Sequence, residues 1–254
     1  MLIWKKLERP VLYNAVVIEG LPGIGNVGKM VVEYLIEKLK AKKFAELYSD
    51  HFPYHVFINE DSTVDLPRNE FYYYKGGKQD LVFLTGDFQS MTPQGHYEIA
   101  QNELDFIREM NINRMITLGG FGVEGMPAKP KVLGAATTKE LVEEFKEAGV
   151  IFEDGERVGM VVGASGVLLG MGKLCGVEGV CLMGETLARP MFTDARAAQA
   201  VLEILTKKFN LTVDMEDIKI KAKELDRAIA KAKELEAQML TKLKKPGEEL
   251  TYIG

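Results

Sequence analysis

A glycine-rich loop near the start of the chain carries the residue pattern with the clearest chemical use. The pattern G-x-G-x-x-G follows the apolar run 15–18 and precedes an amphipathic segment. Its glycines are Gly23, Gly25 and Gly28. In dinucleotide-binding domains such glycines bring backbone N–H groups to a pyrophosphate at the start of a helix, and an acid about 20 residues later binds the ribose. Glu46 and Asp50 lie at about that distance.

The same glycines also fit a purely structural role, because a lone G-x-G-x-x-G is a weak signal. Pro22 lies directly before the motif, and Lys29 fits a phosphate only if the helix begins earlier. In the structural alternative, the glycines form a turn that lets the following helix pack close to the sheet. The two roles stay open at this point.

A second set of polar residues lies at and just after the end of the apolar run 80–87. These residues are Asp87, Gln89 and Ser90. Ligands of α/β proteins bind at the carboxyl ends of strands, so Asp87 and Gln89 join the motif glycines as a candidate ligand loop. A polar loop between a strand and a helix is the commoner explanation.

No catalytic or metal-binding constellation is recognisable elsewhere in the chain. The histidines are His51, His55 and His96, and the cysteines are Cys175 and Cys181. Their spacings match no common metal site. Ser165 lies in GASG, but Val167 stands where the nucleophile elbow G-x-S-x-G has its second glycine. We therefore expect no catalytic residue, no metal, no cofactor and no enzymatic activity.

The chain ends in a short apolar and aromatic sequence on a polar spacer. Its last five residues are Leu250, Thr251, Tyr252, Ile253 and Gly254. A hydrophobic segment with a free carboxylate is typical of a C-terminal docking peptide. A frayed helix end is the alternative, since Pro246 and Gly247 stop the preceding helix.

The composition is that of a globular protein of 254 residues, enough for one large domain or one domain with an appendage. The net charge of −5 argues against nucleic acid and anionic membranes as partners, because both require a basic surface. The N-terminal segment is too short and too charged for a signal peptide, and no apolar run reaches the roughly 18 residues of a membrane span. We expect a cytoplasmic protein.

The elements that must position these residues alternate between apolar and amphipathic segments. Strands are predicted at 16–18, 44–48, 80–87, 114–122 and 131–138. Helices are predicted from about 27 to 40 and over 96–110, 139–149 and 194–209. This alternation predicts βαβ units. The fold class is therefore α/β, with a mostly parallel sheet flanked by helices.

Two other regions have their own predictions. The aromatic runs 51–60 and 70–75 are predicted to pair as a hairpin or as edge strands, with exposed rings at a subunit interface or covering the sheet within one subunit. The glycine-rich region is predicted to form a strand at 160–162, a loop at 163–166, a buried helix at 167–175 and a strand at 179–183.

A long amphipathic helix is predicted over residues 214–243. Its apolar seam comprises Ile218, Ala222, Leu225, Ile229 and Ala232, and shifts to Leu235 and Met239. The stripe predicts packing on another element, most simply a helix, within one subunit or between subunits. The chain then divides into an α/β core domain at 1–210 and a C-terminal helix with a flexible docking tail at 211–254.

Five segments together resemble the archaeal branch of the proteasome-assembly-chaperone family. They are EGLPGIGNVG (19–28), FLTGDFQ (83–89), LGGFG (118–122), GASG (163–166) and DARAAQAVLEIL (194–205). The resemblance covers most of residues 10–210. It implies a fold similar to that of purine nucleoside phosphorylases, without the phosphorylase activity.

The resemblance also implies a function and partners. It implies a homo-oligomeric chaperone that assists assembly of the proteasome core by binding α-subunits, with a second family member as a further candidate partner. Related tails end in hydrophobic–Tyr–any residue and enter a pocket between α-subunits. Here Tyr252 is third from the end, Thr251 holds the hydrophobic position, and one residue displaces the carboxylate by roughly 3.3–3.6 Å. Binding in a shifted register, weak binding and binding to another partner are the alternatives for this tail. The alternative function is a nucleotide- or nucleoside-binding enzyme that uses the glycine corner, residues 19–28.

Overall fold

The structure, a computed structural model, describes residues 1–76, 78–152, 159–189 and 192–243. Within these ranges the chain forms one eight-stranded sheet, a separate two-stranded hairpin and six α-helices. The docking tail predicted at residues 250–254 lies outside the described residues.

The sheet brings together strands that are far apart in the sequence. In chain order they are β1 (Leu2–Lys6), β2 (Val16–Glu19), β3 (Lys42–Ser49), β6 (Asn69–Tyr74), β7 (Leu81–Gly86), β8 (Arg114–Val123), β9 (Val132–Ala136) and β10 (Glu178–Leu187). The hairpin consists of β4 (Phe57–Ile58) and β5 (Val64–Asp65). The spatial order in the sheet is β1-β3-β6-β7-β2-β8-β10-β9.

The centre of the sheet is parallel. Strands β7, β2, β8 and β10 run side by side in one direction, while β9 on one side and β6, β3 and β1 on the other pair antiparallel. Strand β3 shares the direction of the central four, so five of the eight strands point the same way. The predicted α/β fold with a mostly parallel sheet is confirmed, and the antiparallel margins make the sheet mixed.

Helices cover both faces of the sheet, which explains why β2 and β7 are buried along their whole length. The helices are α1 (Val27–Leu39), α2 (Pro93–Glu109), α3 (Lys139–Lys146), α4 (Ala164–Leu174), α5 (Ala195–Phe209) and α6 (Glu216–Leu243). Helices α1, α3 and α5 pack on the face of β2 that presents Ile18. Helices α2 and α4 pack on the opposite face, with Val17.

Two sequence predictions for the regions outside the central strands are wrong. The aromatic run at 70–75 does not pair with the run at 51–60, because β6 inserts between β3 and β7. The run at 51–60 instead contributes β4, which pairs with β5. Residues 160–162 form no strand, and α4 begins at Ala164 because the left-handed Gly163, with φ +89°, already turns the chain into the helix.

Helix α6 runs across the molecule from the side where the central parallel strands begin to the side where they end. Its start lies at the C-terminal end of α1, where the Tyr34 hydroxyl donates to the carbonyl of Asp214 over 2.7 Å. Ten residues into the helix, Asp226 accepts a bond of 2.8 Å from Arg196, at the first turn of α5. We call the edge where β2, β7, β8 and β10 end the carboxyl edge. The helix reaches this edge at Asp226 and continues for 17 more residues, about 26 Å.

Candidate functional site

The glycine corner lies at the carboxyl edge, and two of its glycines are needed for close packing. A Cβ on Gly20 would lie 2.1 Å from the carbonyl oxygen of Gly28. A Cβ on Gly28 would lie 2.5 Å from the carbonyl oxygen of Leu118. Helix α1 therefore packs directly against the backbone of β2 and β8, as the structural role of the motif requires.

The second motif glycine, Gly25, lies against the side chain of Thr186. Gly25 has φ +65°, and a Cβ there would lie 2.7 Å from the hydroxyl oxygen of Thr186 on β10. In a dinucleotide site this glycine lets the pyrophosphate approach the backbone. Because Thr186 occupies that side and Asp194 donates its N–H to the carbonyl of Gly25 over 2.9 Å, the loop is tied to β10 and α5.

The polar residues predicted to complete a ligand loop hold neighbouring loops together. Gln89 donates to the carbonyl of Pro22 over 2.7 Å and accepts from the N–H of Ala164 over 2.9 Å. It thereby connects the glycine corner to the start of α4. Asp87 accepts instead from the N–H of Arg68 over 3.0 Å. Of the two predicted residues, Gln89 hydrogen-bonds to the glycine corner and Asp87 bonds to the chain before β6.

A buried polar cluster lies beneath the glycine corner and was not predicted from the sequence. Ser165 donates to the carboxyl of Glu19 over 2.9 Å, and Asn69 donates to the carboxyl of Glu103 over 2.7 Å. Burial raises the pKa of Glu19 to about 7, although the bond from Ser165 opposes the shift. Burial raises the pKa of Glu103 to about 8, against the opposing bond from Asn69. The signal was Glu19 itself, an acid inside the apolar run AVVIEG.

The cluster lacks the features of a nucleophilic site. No histidine hydrogen-bonds to Ser165 within the described ranges, and His51 pairs with Glu98 over 2.9 Å. Burial raises the pKa of the Cys181 thiol to about 12, which keeps it protonated. In the part of the chain that the structure describes, no group of three or more His, Cys, Asp or Glu residues is arranged to hold a metal ion.

A cavity of about 300 Å³ opens beside the glycine corner at the carboxyl edge. We call it the edge groove. Its lining includes residues 119–122 and 160–162, together with Ile24, Met183 and Ala188. Ser165 and Gln89 also line it, but Ser165 is hydrogen-bonded to Glu19 and Gln89 to the carbonyl of Pro22. The groove therefore offers mainly apolar surface.

The predicted seam of α6 packs within its own subunit over its first half. Ile218 and Ala222 are buried, and Leu225 and Ile229 are half-buried. The ion pair between Lys38 and Asp217 and the pair between Arg196 and Asp226 flank this packed part. The side chains of Ala232, Leu235 and Met239 lie outside those that the structure describes. No helix within the described ranges is both long and apolar enough to span a membrane.

A pair of alanine substitutions tests the structural role of the corner. We expect Gly28→Ala to lower the free energy of unfolding by about 1–3 kcal/mol, because its Cβ meets the backbone of β8. Gly23→Ala is the control, since its Cβ meets nothing nearer than 3.6 Å. Thermal or urea unfolding of both variants checks the prediction. Equal stability of the two variants would show that close packing does not explain the glycines.

The sequence and the fold are similar to those of known proteins. The model of the PAC2 family matches residues 17–233. Pyrococcus furiosus PbaB, an archaeal proteasome activator, is 43% identical with a TM-score of 0.85, and the match covers 91% of this chain and 98% of that chain. Pyrococcus furiosus PbaA, an archaeal homolog of proteasome-assembly chaperone, is 26% identical with a TM-score of 0.74, covering 98% and 99%.

A further relative is similar over nearly the whole chain. An uncharacterized protein of Methanocaldococcus jannaschii is 41% identical over 247 residues, which are 96% of this chain and 93% of the relative. The PAC2 family model and the Pyrococcus furiosus structures confirm the family resemblance found from the five sequence segments. The family model matches residues 17–233, which include the whole sheet except β1 and the first residue of β2, and most of α6; the chain therefore belongs to the PAC2 family.

Proposed function

We propose that this protein is a non-enzymatic, homo-oligomeric chaperone that assists assembly of the proteasome core by binding α-subunits, partly through its C-terminal tail. The relatives support the proteasome as partner, because PbaB is an archaeal proteasome activator and PbaA an archaeal homolog of proteasome-assembly chaperone. The observation that carries the tail mechanism is the course of α6 past the carboxyl edge.

The reach of the C-terminal region suits a docking role. The last 17 residues of α6 extend about 26 Å past Asp226. The 11 residues from 244 to 254 could span at most about 40 Å if fully extended. Leu250, Thr251, Tyr252, Ile253 and Gly254 would therefore contact a partner well away from the α/β core domain.

Several tails on one oligomer would strengthen binding. A single tail with Tyr252 third from the end would bind weakly, because its carboxylate is displaced from the register of the related tails. When one tail is bound, the others act at a high effective concentration, which raises overall affinity without new contacts. The homo-oligomer is therefore part of the proposed mechanism.

The alternative is a nucleotide- or nucleoside-binding enzyme. The packing of the glycine corner disfavours it, because Gly25 contacts Thr186 and Gln89 is engaged with Pro22 and Ala164. Its remaining support is the edge groove, whose walls are mainly apolar and carry no basic side chain among the described lining residues.

One paired experiment separates the two functions. We expect adenine and guanine nucleotides to leave the melting temperature unchanged, while immobilised proteasome α-subunits retain the protein in a pull-down. A ligand at 100 times its Kd would add about 2.7 kcal/mol, a shift of several degrees that is readily measured. A nucleotide-dependent shift without α-subunit binding would favour the enzyme.

A further inference from the structure

The segment 54–67, which contains the β4–β5 hairpin and which we call the arm, presents apolar side chains that its own subunit leaves uncovered. Tyr54 is 98% exposed, and Ile58 is 77% exposed. Val64 and Leu66 are also more than half exposed. A two-stranded hairpin is marginally stable alone, and contiguous exposed apolar surface marks a protein interface. The hairpin therefore has the character of an arm that a partner covers.

The edge groove presents a second uncovered apolar surface. On its rim Met160 is 77% exposed and Val162 is 80% exposed, while Ile24 lies 48% exposed on the other side. The cavity of about 300 Å³ is at the lower end of the size of pockets that accept a drug-sized molecule, which is also enough for one or two inserted side chains.

The arm and the groove lie on different flanks of the same edge. The hairpin belongs to the connection from β3 to β6, whereas the groove lies at the ends of β8 and β10. Between these pairs stand β7 and β2. Within the subunit Phe57 stacks on Phe88 with ring centroids 6.2 Å apart, which fixes the base of the arm and leaves Ile58 and Tyr54 outward.

The charges of the two surfaces are complementary. The segment 54–67 contains Glu60, Asp61 and Asp65 and no lysine or arginine. Asp65 pairs with the following Arg68 over 3.5 Å, so Glu60 and Asp61 carry the acidic charge of the arm. Beside the groove, the exposed Arg189 directly follows Ala188 of the lining. An acidic arm would therefore approach the groove of another copy with attraction at the rim and apolar contact at the centre.

We propose that the β4–β5 hairpin of one copy docks into the edge groove of the next copy, so that the oligomer closes head to tail. The inference rests on the proposed homo-oligomer. For the tails to act jointly, α6 must project to the same side in every copy, which requires rotation about one axis. A contact between two different surfaces generates such a ring, and a ring of three or more copies cannot use a self-complementary contact.

The test uses two variants that each destroy one half of the contact. The arm variant carries Tyr54→Asp and Ile58→Asp, and the groove variant carries Met160→Asp and Val162→Asp. Each is expected to weaken self-association at least about 30-fold, so that native mass spectrometry shows a monomer. An equimolar mixture is expected to form a one-to-one heterodimer and nothing larger, because only one intact arm and one intact groove remain.

The control variant alters an exposed apolar residue that lies away from both surfaces. Leu174→Asp alters an equally exposed residue (87%) at the end of α4, at the opposite edge of the sheet, and is expected to keep the wild-type mass. If a double variant fails to melt cooperatively, Ile58→Asp and Val162→Asp are mixed instead. Wild-type oligomers from both variants, or a monomeric arm variant beside an oligomeric groove variant, would overturn the proposal. If the variants oligomerise normally but lose α-subunit binding, the two surfaces contact the proteasome and the proposed function stands.

Discussion

Removal of residues 246–254 is expected to leave folding and oligomerisation intact and to weaken binding to the proteasome α-ring by about 100-fold or more. The expectation follows from the place of the tail in the chain, because it comes after the end of α6 at Leu243, whereas the buried apolar residues of the described ranges fall between Ala15 and Ala222. Calorimetric titration of α-ring with the intact and shortened chains measures the change, and light scattering verifies the oligomer. Unchanged affinity would remove the tail from the mechanism.

A single-residue deletion sharpens this test. Deleting Ile253 places Tyr252 second from the end and moves the carboxylate by roughly 3.3–3.6 Å along an extended tail. We expect this variant to bind the α-ring more tightly than the intact chain, whereas Tyr252→Ala should bind more weakly. If both variants bind as the intact chain does, the tail does not bind in the register of the related tails.

The second large effect is a loss of stability as the pH rises. The pKa of Glu19 is raised to about 7 and that of Glu103 to about 8 by burial, above the usual value of 4.5. Between about 4.5 and 8 the folded state therefore holds more protons than the unfolded state, so the free energy of unfolding falls as pH increases through this window. For Glu103 the shift corresponds to about 5 kcal/mol at its upper limit.

Glutamine substitution isolates this effect. Glu103→Gln keeps an oxygen that accepts from Asn69 and removes the titration, so its melting temperature should exceed that of the wild type by roughly 10 °C at pH 9 and match it near pH 5. Glu46→Gln is the contrasting variant. Burial opposes ionisation of Glu46, but bonds from Lys43 and Lys5 outweigh it and lower its pKa to about 2. That variant should lose stability at neutral pH, and identical pH profiles for all three proteins would contradict the assignment.

Local patterns in the sequence were sufficient to locate the central strands, but not to give their order in the sheet. Apolar runs such as LVFLTG can only be buried on both faces, and the amphipathic spacing of Leu104 and Ile107 defines a helix that packs on them. The position of β6 was not predictable from its own residues. Its aromatic run suits an edge or an interior strand equally well, and only the open sides of β3 and β7 decide the choice.

The candidate site shows the same division. The sequence motif Gly23, Gly25, Gly28 permits either a phosphate or a close helix, and the distinction depends on Thr186 and Leu118, which are far away in the chain. Asp87 and Gln89 are close in sequence but turn to different partners. The pairs Glu19–Ser165 and Asn69–Glu103 join residues that are 146 and 34 positions apart, so a local sequence pattern does not predict either pairing.

The central claim is that this chain binds the proteasome α-ring as a homo-oligomer. Native mass spectrometry of the purified protein, alone and mixed with recombinant α-subunits, tests it most directly. The account predicts a defined homo-oligomer that forms a complex of fixed stoichiometry with the α-ring. A homo-oligomer that remains unbound in the presence of folded α-rings would contradict the account and leave only the PAC2 fold.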